Sequence, residues 1–346
     1  MEANNKIYEI AILGRVTWDL HSLSNEGTVG NVTEPRTLML ADGTKTDGIS
    51  GEMLKHIHAE NVWILEPDKN KFCKVCKILR PERADGNEDV RKKKKVEDAV
   101  EKALECELCD IHGFLVQTPT VARESTVEFG WAVGIPEVKR DIHVHARHAV
   151  HEAYIAIEEE QDKGKCSKRE CDKEEVKVYK IKGKWYCEEH IPRPTPQMIY
   201  HRPTRSGKYA IISVFQPWRI GLNNVNFEYD VSDDIRKKRY ELALKAYRAM
   251  FLRTEGAMTS TRLPHTENFE GIIVISKTNF PVPVISPLKE DYTDQIKKIK
   301  ESMDNEIEVI YFASVSEFVE KIKEQLDKEP YKVEFKKEGE KQRSLT

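Results

Sequence analysis

The chain has no run of about 18 apolar residues, so no membrane-spanning helix is expected. Its opening, MEANNKIYEIAILGR, lacks the charged, apolar, small-residue order of a signal peptide. A soluble, cytoplasmic protein with no membrane partner is expected. Also missing are Gly-x-x-x-x-Gly-Lys-Ser/Thr, Gly-x-Ser-x-Gly, a Gly-x-Gly-x-x-Gly after a strand, and His-Glu-x-x-His. Nucleotide hydrolysis, acyl transfer and dinucleotide chemistry therefore have no support. There is no positive excess either: Lys plus Arg number 56 and Asp plus Glu 59, for a formal net charge of −3. That excludes a generically basic, histone-like binder and requires a local patch for any polyanion partner. No repeat at solenoid period is found.

What is present is a chain of 346 residues, enough for one large core or about two domains. Charged residues make up 33%, against a usual share of roughly a quarter. Lys and Glu dominate them, as in KIKEQLDKE, a bias typical of hyperthermophile proteins that suggests a thermophilic source, with a highly charged mesophilic surface as the alternative.

The run from Lys6 to Leu20 reads as a strand entering the core, followed by a polar loop, a short strand (TLMLADG) turning at Asp42-Gly43, and a helix start over 47–51. Ser50 is its N-cap candidate, with Met53, Leu54 and Ile57 facing inward. This opening predicts an α+β fold. Residues 67–112 are charged and cysteine-bearing, with a helix in RKKKKVEDAVEKALE, and read as an insertion outside the core. Apolar strands return from Ile111 to Ile135 and a histidine-rich stretch follows, so that 113–157 reads as core again; a second charged insertion spans 158–197, and 198–335 completes the fold before a polar tail, 336–346. Within the last part, MIYHRPTRSGKYAIISVF reads as two strand segments around a Ser206-Gly207 turn, DDIRKKRYELALKAYRAMFL as a helix with a broad apolar stripe, GIIVISKT as a buried strand and SEFVEKIKEQLDKE as an amphipathic helix.

All seven cysteines lie in the two insertions. Cys166-x4-Cys171, fifteen residues, then Cys187-x2-His190 resembles a pair of zinc-ribbon knuckles, with VKVYKIKGKWY as a hairpin turning at Lys182-Gly183. Cys73-x2-Cys76 and Cys106-x2-Cys109, 29 residues apart, make a second four-thiolate candidate. Two structural zinc ions are expected, since four protein ligands leave no place for an activated water. Disulfides, rare in cytosolic proteins outside hyperthermophiles, are the alternative, and a redox CxxC a further one.

His143, His145, His148 and His151 crowd one segment. A metal or catalytic role competes there with RNA contact and with a plain strand-to-helix junction. Three other elements suit a polyanion. Ser50-Gly51 opens a helix one turn before Lys55 and His56, where free N–H groups and a positive dipole end can hold phosphate. Arg205-Ser206-Gly207 is a basic turn, and Arg253 to Arg262 is a small-residue loop around Gly256-Ala257. A capped helix, a plain hairpin turn and a surface loop are the structural alternatives.

These segments also carry a family resemblance. Ile10 to Leu23, the Glu34-Pro35-Arg36 loop, Ser50-Gly51-x-Met53-Leu54-Lys55-His56, Cys109 to Leu115, Arg205-Ser206-Gly207-x-Tyr209-Ala210 and Gly256-Ala257 resemble, in order from about residue 7 to 290, the DevR-like RAMP-superfamily backbone subunits of CRISPR type I, Cascade-like, interference complexes. The resemblance implies an RRM-like, modified ferredoxin-like palm built from 1–66, 113–157 and 198–335, a finger at 67–112 and a thumb at 158–197 carrying the ribbon. It implies copies of the chain polymerised in a helical filament along one CRISPR RNA, presenting bases to target DNA beside other interference subunits. It implies no catalysis, and guide contacts at Arg15, Arg36, Ser50, Gly51, Lys55, Arg205, Ser206, Gly207, Gly256 and Ala257. His56, Arg253 and Arg262 join them as flanking cations. Asp19 and Asp47, acids near these segments, are expected at a strand end or helix cap rather than in RNA cleavage, the activity of the rival reading.

Overall fold

The computed structural model describes residues 5–148, 157–192, 197–257, 259–303 and 306–335. They divide into two compact units, one formed by 1–27, 35–141 and 203–346, the other by 28–34 and 142–202.

The first unit is built on strand β1 (Glu9–His21). Along a strand alternate side chains leave on opposite faces, and both faces of β1 are apolar. Ile10, Ile12, Val16 and Trp18 enter the larger core, while Ala11 and Leu13 enter a second, smaller one. The remaining strands are β2 (Thr37–Met39), β3 (Lys45–Ile49), β4 (Val127–Phe129), β5 (Ala132–Gly134), β6 (Lys139–His148), β7 (Glu159–Gly164), β8 (Val176–Ile181), β9 (Lys184–Cys187), β10 (Gln197–Phe215), β11 (His265–Ser276) and β12 (Ile307–Phe312). The helices used below are α1 (Gly51–Leu65), α2 (Val96–Leu104), α3 (Glu107–His112), α4 (Asp233–Leu252), α5 (Tyr292–Ser302) and α6 (Val315–Lys323). The main sheet runs β12-β11-β1-β10-β5-β3-β2, with each neighbouring pair antiparallel, and β4 continues the edge of β10 beside β5. Reduced to its centre, the chain follows β1, α1, β4/β5, β10, α4, β11, with spatial strand order β11-β1-β10-β4/β5.

α1, α4 and α6 cover the face that holds Ile12, Val16 and Phe269, and α5 covers the opposite face through Tyr292 and Ile296. Each of α1, α4 and α6 begins at a serine whose side chain accepts a backbone N–H: Ser50 from Met53, Ser232 from Ile235 and Ser314 from Glu317. On α4, Tyr240, Leu242, Leu244, Ala246, Tyr247 and Phe251 are buried as the stripe requires, whereas Ile235 is exposed.

Three expectations are corrected. Ser206-Gly207 is not a turn: β10 is continuous, and the irregularity lies opposite, where β1 bulges at Leu20 (φ 54) and the Leu20 N–H donates to Ser206 Oγ at 3.0 Å. Residues 47–49 belong to β3, so the helix starts at Gly51. Segment 67–112 is not outside the core, because Phe72, Val90, Val100, Ala103, Leu104 and Ile111 join the main apolar cluster. Its density of charged residues of both signs hid a stripe on α2 that buries Ala99, Val100, Ala103 and Leu104.

In the second unit β7, β8 and β9 form a three-stranded antiparallel sheet, and the β8–β9 turn is Lys182 (φ 47) and Gly183 (φ 74), the left-handed pair of a tight hairpin. His143 and His145 lie on strand β6 rather than on a helix, His145 stacking on Tyr200 at 5.2 Å between ring centroids. His151 and the tail 336–346 fall outside the described residues.

Candidate functional site

The N-terminus of α1 is pressed against the β4–β5 junction. A Cβ added at Gly51 would stand 2.4 Å from the Phe129 carbonyl oxygen, so only glycine lets the helix start there. Beyond that junction Trp131 is exposed, with the Arg36 guanidinium 5.6 Å from its ring centroid. Arg36 also donates to the Asn25 carbonyl and pairs with Glu26.

One turn into α1, His56 is exposed and Lys55 half-buried. Burial, and secondarily the charge of Arg83, bring the Lys55 ammonium down to about 8. The loop after α4 reaches the same helix: Gly256 (φ 81) is left-handed, and a Cβ on it would meet Glu60 Cβ at 3.0 Å and His56 Nε2 at 3.2 Å. Ser50, Gly51, Lys55, His56, Gly256 and Ala257 are thus gathered along α1. Arg253 stands exposed at the loop's start, paired with Glu255. Met258 lies outside the described residues.

Other expected contacts are turned inward. Arg15 donates to the Pro287 and Lys289 carbonyls and to Glu290, and lies 5.6 Å from the Tyr292 ring centroid, so its donors serve the α5 face. Arg205 is fully buried and pairs with Asp47 at 3.3 Å, which closes it to an external phosphate. Gly207 admits Val138, whose Cγ2 would lie 2.9 Å from an added Cβ. Arg262 is also buried. Asp47 is not a helix cap. It accepts from Tyr209 Oη at 3.0 Å and pairs with Arg140 at 3.1 Å besides Arg205.

Both cysteine sets converge. The donor atoms of Cys73, Cys76, Cys106 and Cys109, and those of Cys166, Cys171, Cys187 and His190, each lie within 4.8 Å of one another. A tetrahedral ion with metal–sulfur bonds of about 2.3 Å needs sulfur–sulfur edges of about 3.8 Å. Cys76 and Cys109 Sγ are 3.7 Å apart, and Cys171 and Cys187 Sγ 3.8 Å. His190 Nδ1 lies 3.2 Å from Cys187 Sγ and 3.8 Å from Cys166 Sγ. All seven cysteines are free, and these spacings are too long for a disulfide bond of about 2.05 Å. Both clusters could hold a metal ion.

The sequence matches the family model described as "CRISPR-associated negative auto-regulator DevR/Csa2" over residues 12–181 and 186–297. The chain belongs to the CRISPR-associated DevR family. No curated protein matches it. Among solved structures it is similar to a chain of a "CRISPR RNA-guided surveillance complex, pre-nicking", at 9% identity and TM-score 0.44, over 88% of this chain and 90% of that one. A chain of a "CRISPR RNA-guided surveillance complex" aligns at 9% identity and TM-score 0.39, over 88% of each. Csc2 of Thermofilum pendens aligns at 10% identity and TM-score 0.37, over 94% of this chain and 87% of that one. Among the described residues, no helix of this DevR-family chain is long and apolar enough to cross a membrane.

Several features of the DevR-family chain were not foreseen from its sequence. A cavity of about 480 Å³ opens between α1 and the first cysteine cluster, lined by Glu52, Lys55, His56, Cys76, Arg80 and Arg83 among others. Asp110 is fully buried and ion-paired with both Arg123 and Arg239 at 2.6 Å. His58 and His112, also buried, hydrogen-bond at 3.0 Å. Asp110 and Arg239 are 129 residues apart and His58 and His112 54 apart. The nearest sequence signal was Cys109-Asp110-Ile111-His112, quoted above only as part of the resemblance.

Proposed function

We propose that this protein is a non-catalytic, guide-RNA-binding backbone subunit of a type I CRISPR surveillance complex. Copies of it line one CRISPR RNA in a helical filament, beside other interference subunits, and leave the bases free to pair with target DNA in the cytoplasm. The observation that carries this reading is that the stretch matching the family model contains both parts of the candidate interface, α1 with Lys55 and His56 and the loop at Gly256-Ala257 that lies against it.

The β-α-β-β-α-β order and the strand sequence β11-β1-β10-β4/β5 support an RRM-like palm. The three-stranded β7–β9 sheet with its cysteine–histidine cluster supports a zinc-ribbon thumb, and the edge lengths of both clusters support zinc. In that role the ions are structural, holding the knuckles together without an open coordination position. Asp47, with its carboxylate buried and shared among Arg205, Tyr209 and Arg140, is engaged in the sheet and gives little support to a cleaving role.

The test is the nucleic acid that copurifies with the full chain. RNA of uniform guide length is expected, whereas nucleic-acid-free protein that turns over RNA overturns the scaffold reading. Lys55→Ala should weaken RNA binding and reduce the salt slope by about 0.7, the value for one single-strand phosphate contact.

A further inference from the structure

The cavity beside α1 is built jointly by the helix and the first cysteine knuckle. Cys76 belongs to both, as a cluster member and as part of the cavity wall. The backbone that leaves the knuckle is tightly folded. Lys77 N donates to the Cys73 carbonyl at 2.9 Å, Leu79 N to Cys76 at 3.1 Å and Arg80 N to Val75 at 3.2 Å. Leu79 (φ 54) and Arg83 (φ 47) are both left-handed without being glycine, a conformation that needs surrounding structure to hold it. Trp63 Nε1 on α1 donates to the Lys77 carbonyl at 3.0 Å and ties the knuckle to the helix. The folded loop sets Arg80 and Arg83 opposite Lys55 and His56, with Leu79, Pro81, Ala59 and Leu108 as apolar wall.

Among the side chains lining this cavity, cations outnumber carboxylates. Glu52 is the carboxylate in its lining, against Lys55, Arg80 and Arg83. Arg80 pairs with Glu82 at 3.3 Å, an exposed contact of small energy. Arg83 Nη1 donates to the carbonyls of His112 (2.7 Å) and Gly113 (3.0 Å), and the sulfurs of Cys76, Cys106 and Cys109 are the anionic groups that act on its charge. Lys55 forms no ion pair among the described residues. Lys and Arg side chains gathered at one half-buried site can share an anion's oxygens, and Arg suits the forked oxygen geometry of phosphate.

We propose that the first cysteine cluster is the scaffold of a phosphate pocket, in which Lys55, Arg80 and Arg83 hold a phosphodiester of a bound RNA strand, so that metal at this cluster governs RNA affinity. The proposal rests on the guide-RNA reading and adds to it two binding residues, Arg80 and Arg83, and a dependence on metal.

The test uses the full chain and a short labelled single-stranded RNA, titrated over a range of salt. Arg80→Ala should weaken binding about tenfold, the loss expected for one charged hydrogen bond to phosphate. It should also lower the salt slope by about 0.7, while Lys92→Ala, an equal charge change outside the pocket on the same segment, leaves both unchanged. An unaltered affinity and slope in Arg80→Ala overturns the pocket. For the metal, Cys73→Ser is chosen because Cys73 is the least buried ligand of the set. Its metal content should fall by one ion per chain, and RNA affinity should fall with it to the level of the Lys55→Ala, Arg80→Ala double variant. Full affinity with that ion lost overturns the dependence on metal. If Cys73→Ser does not fold, non-additive losses in the Lys55 and Arg80 double-mutant cycle support a shared phosphate, and strictly additive losses count against it. Unmodified protein that binds no RNA defeats the guide-RNA reading itself, whereas binding that ignores Arg80 defeats only the pocket.

Discussion

Arg205 Nη1 lies 3.3 Å from Asp47 Oδ2, and neither side chain is exposed to solvent. The pair crosses from β10 to β3, two strands that do not neighbour each other in the sheet. Burial pushes the Asp47 carboxyl up from its ordinary value, while Arg205, Tyr209 and Arg140 pull it down. Removing one partner strands the other charge in the core. Asp47→Ala should therefore cost about 3–5 kcal/mol in urea unfolding. A cost below about 1 kcal/mol would show that the pair is not a buried charge contact.

At Gly51 a side chain has no room, because the obstacle is the Phe129 carbonyl at 2.4 Å rather than a movable side-chain end. Gly51→Ala should destabilise by roughly 1–3 kcal/mol, the usual range for forced overpacking. Thermal unfolding against the parent chain measures it, and an unchanged melting temperature contradicts the close approach.

Metal analysis should find two zinc ions per chain, one for each cluster. The β7–β9 sheet has a small apolar cluster of its own, made of Cys166, Cys171, Cys187 and Val178. Removing its ion by chelation should unfold that sheet before the main sheet, seen as early loss of amide protection over residues 159–190. Metal-free protein with disulfides would refute both clusters.

His58 is buried and neutral. Desolvation outweighs its hydrogen bond to the Ala243 carbonyl and lowers it to about 3. The unfolded imidazole protonates near pH 6.5, so below that value the unfolded state binds the extra proton and stability falls as pH falls. Between about pH 7 and about pH 5 this amounts to roughly 2 kcal/mol. Glu107, raised to about 7 by burial, acts in the opposite direction over the same range. The measurement is therefore the difference in urea stability between the chain and His58→Gln, which should narrow as the pH is lowered. A difference independent of pH would mean His58 is not held neutral.

Much of the architecture could be read from residue order. Ser50 announced α1, the stripe from Tyr240 to Phe251 announced α4, and Lys182-Gly183 announced the hairpin, because caps, helical faces and tight turns depend on residues within a few positions of one another. The cysteine sets were readable for a related reason, since only a few residue types bind soft metals and their knuckles recur at short spacing. The misreadings share a cause of another kind. Arg205-Ser206-Gly207 has turn composition, yet pairing with β1 kept β10 straight and moved the irregularity to Leu20. Segment 67–112 has the composition of a solvated insertion, yet its apolar residues lie on faces that only packing reveals.

By itself the sequence determined the local elements, both ligand sets and the family, properties written in neighbouring residues or in ordered motifs. Which arginines face solvent was decided by the tertiary structure alone. Arg205 is buried against Asp47, distant in the chain, and Arg15 donates to the Pro287 and Lys289 carbonyls, whereas no sequence pattern marked Arg80 or Arg83. The knuckle at Cys76 instead carries Arg80 and Arg83 to Lys55. A cation's availability depends on charges and burial brought together by folding, and sequence spacing does not encode that distance.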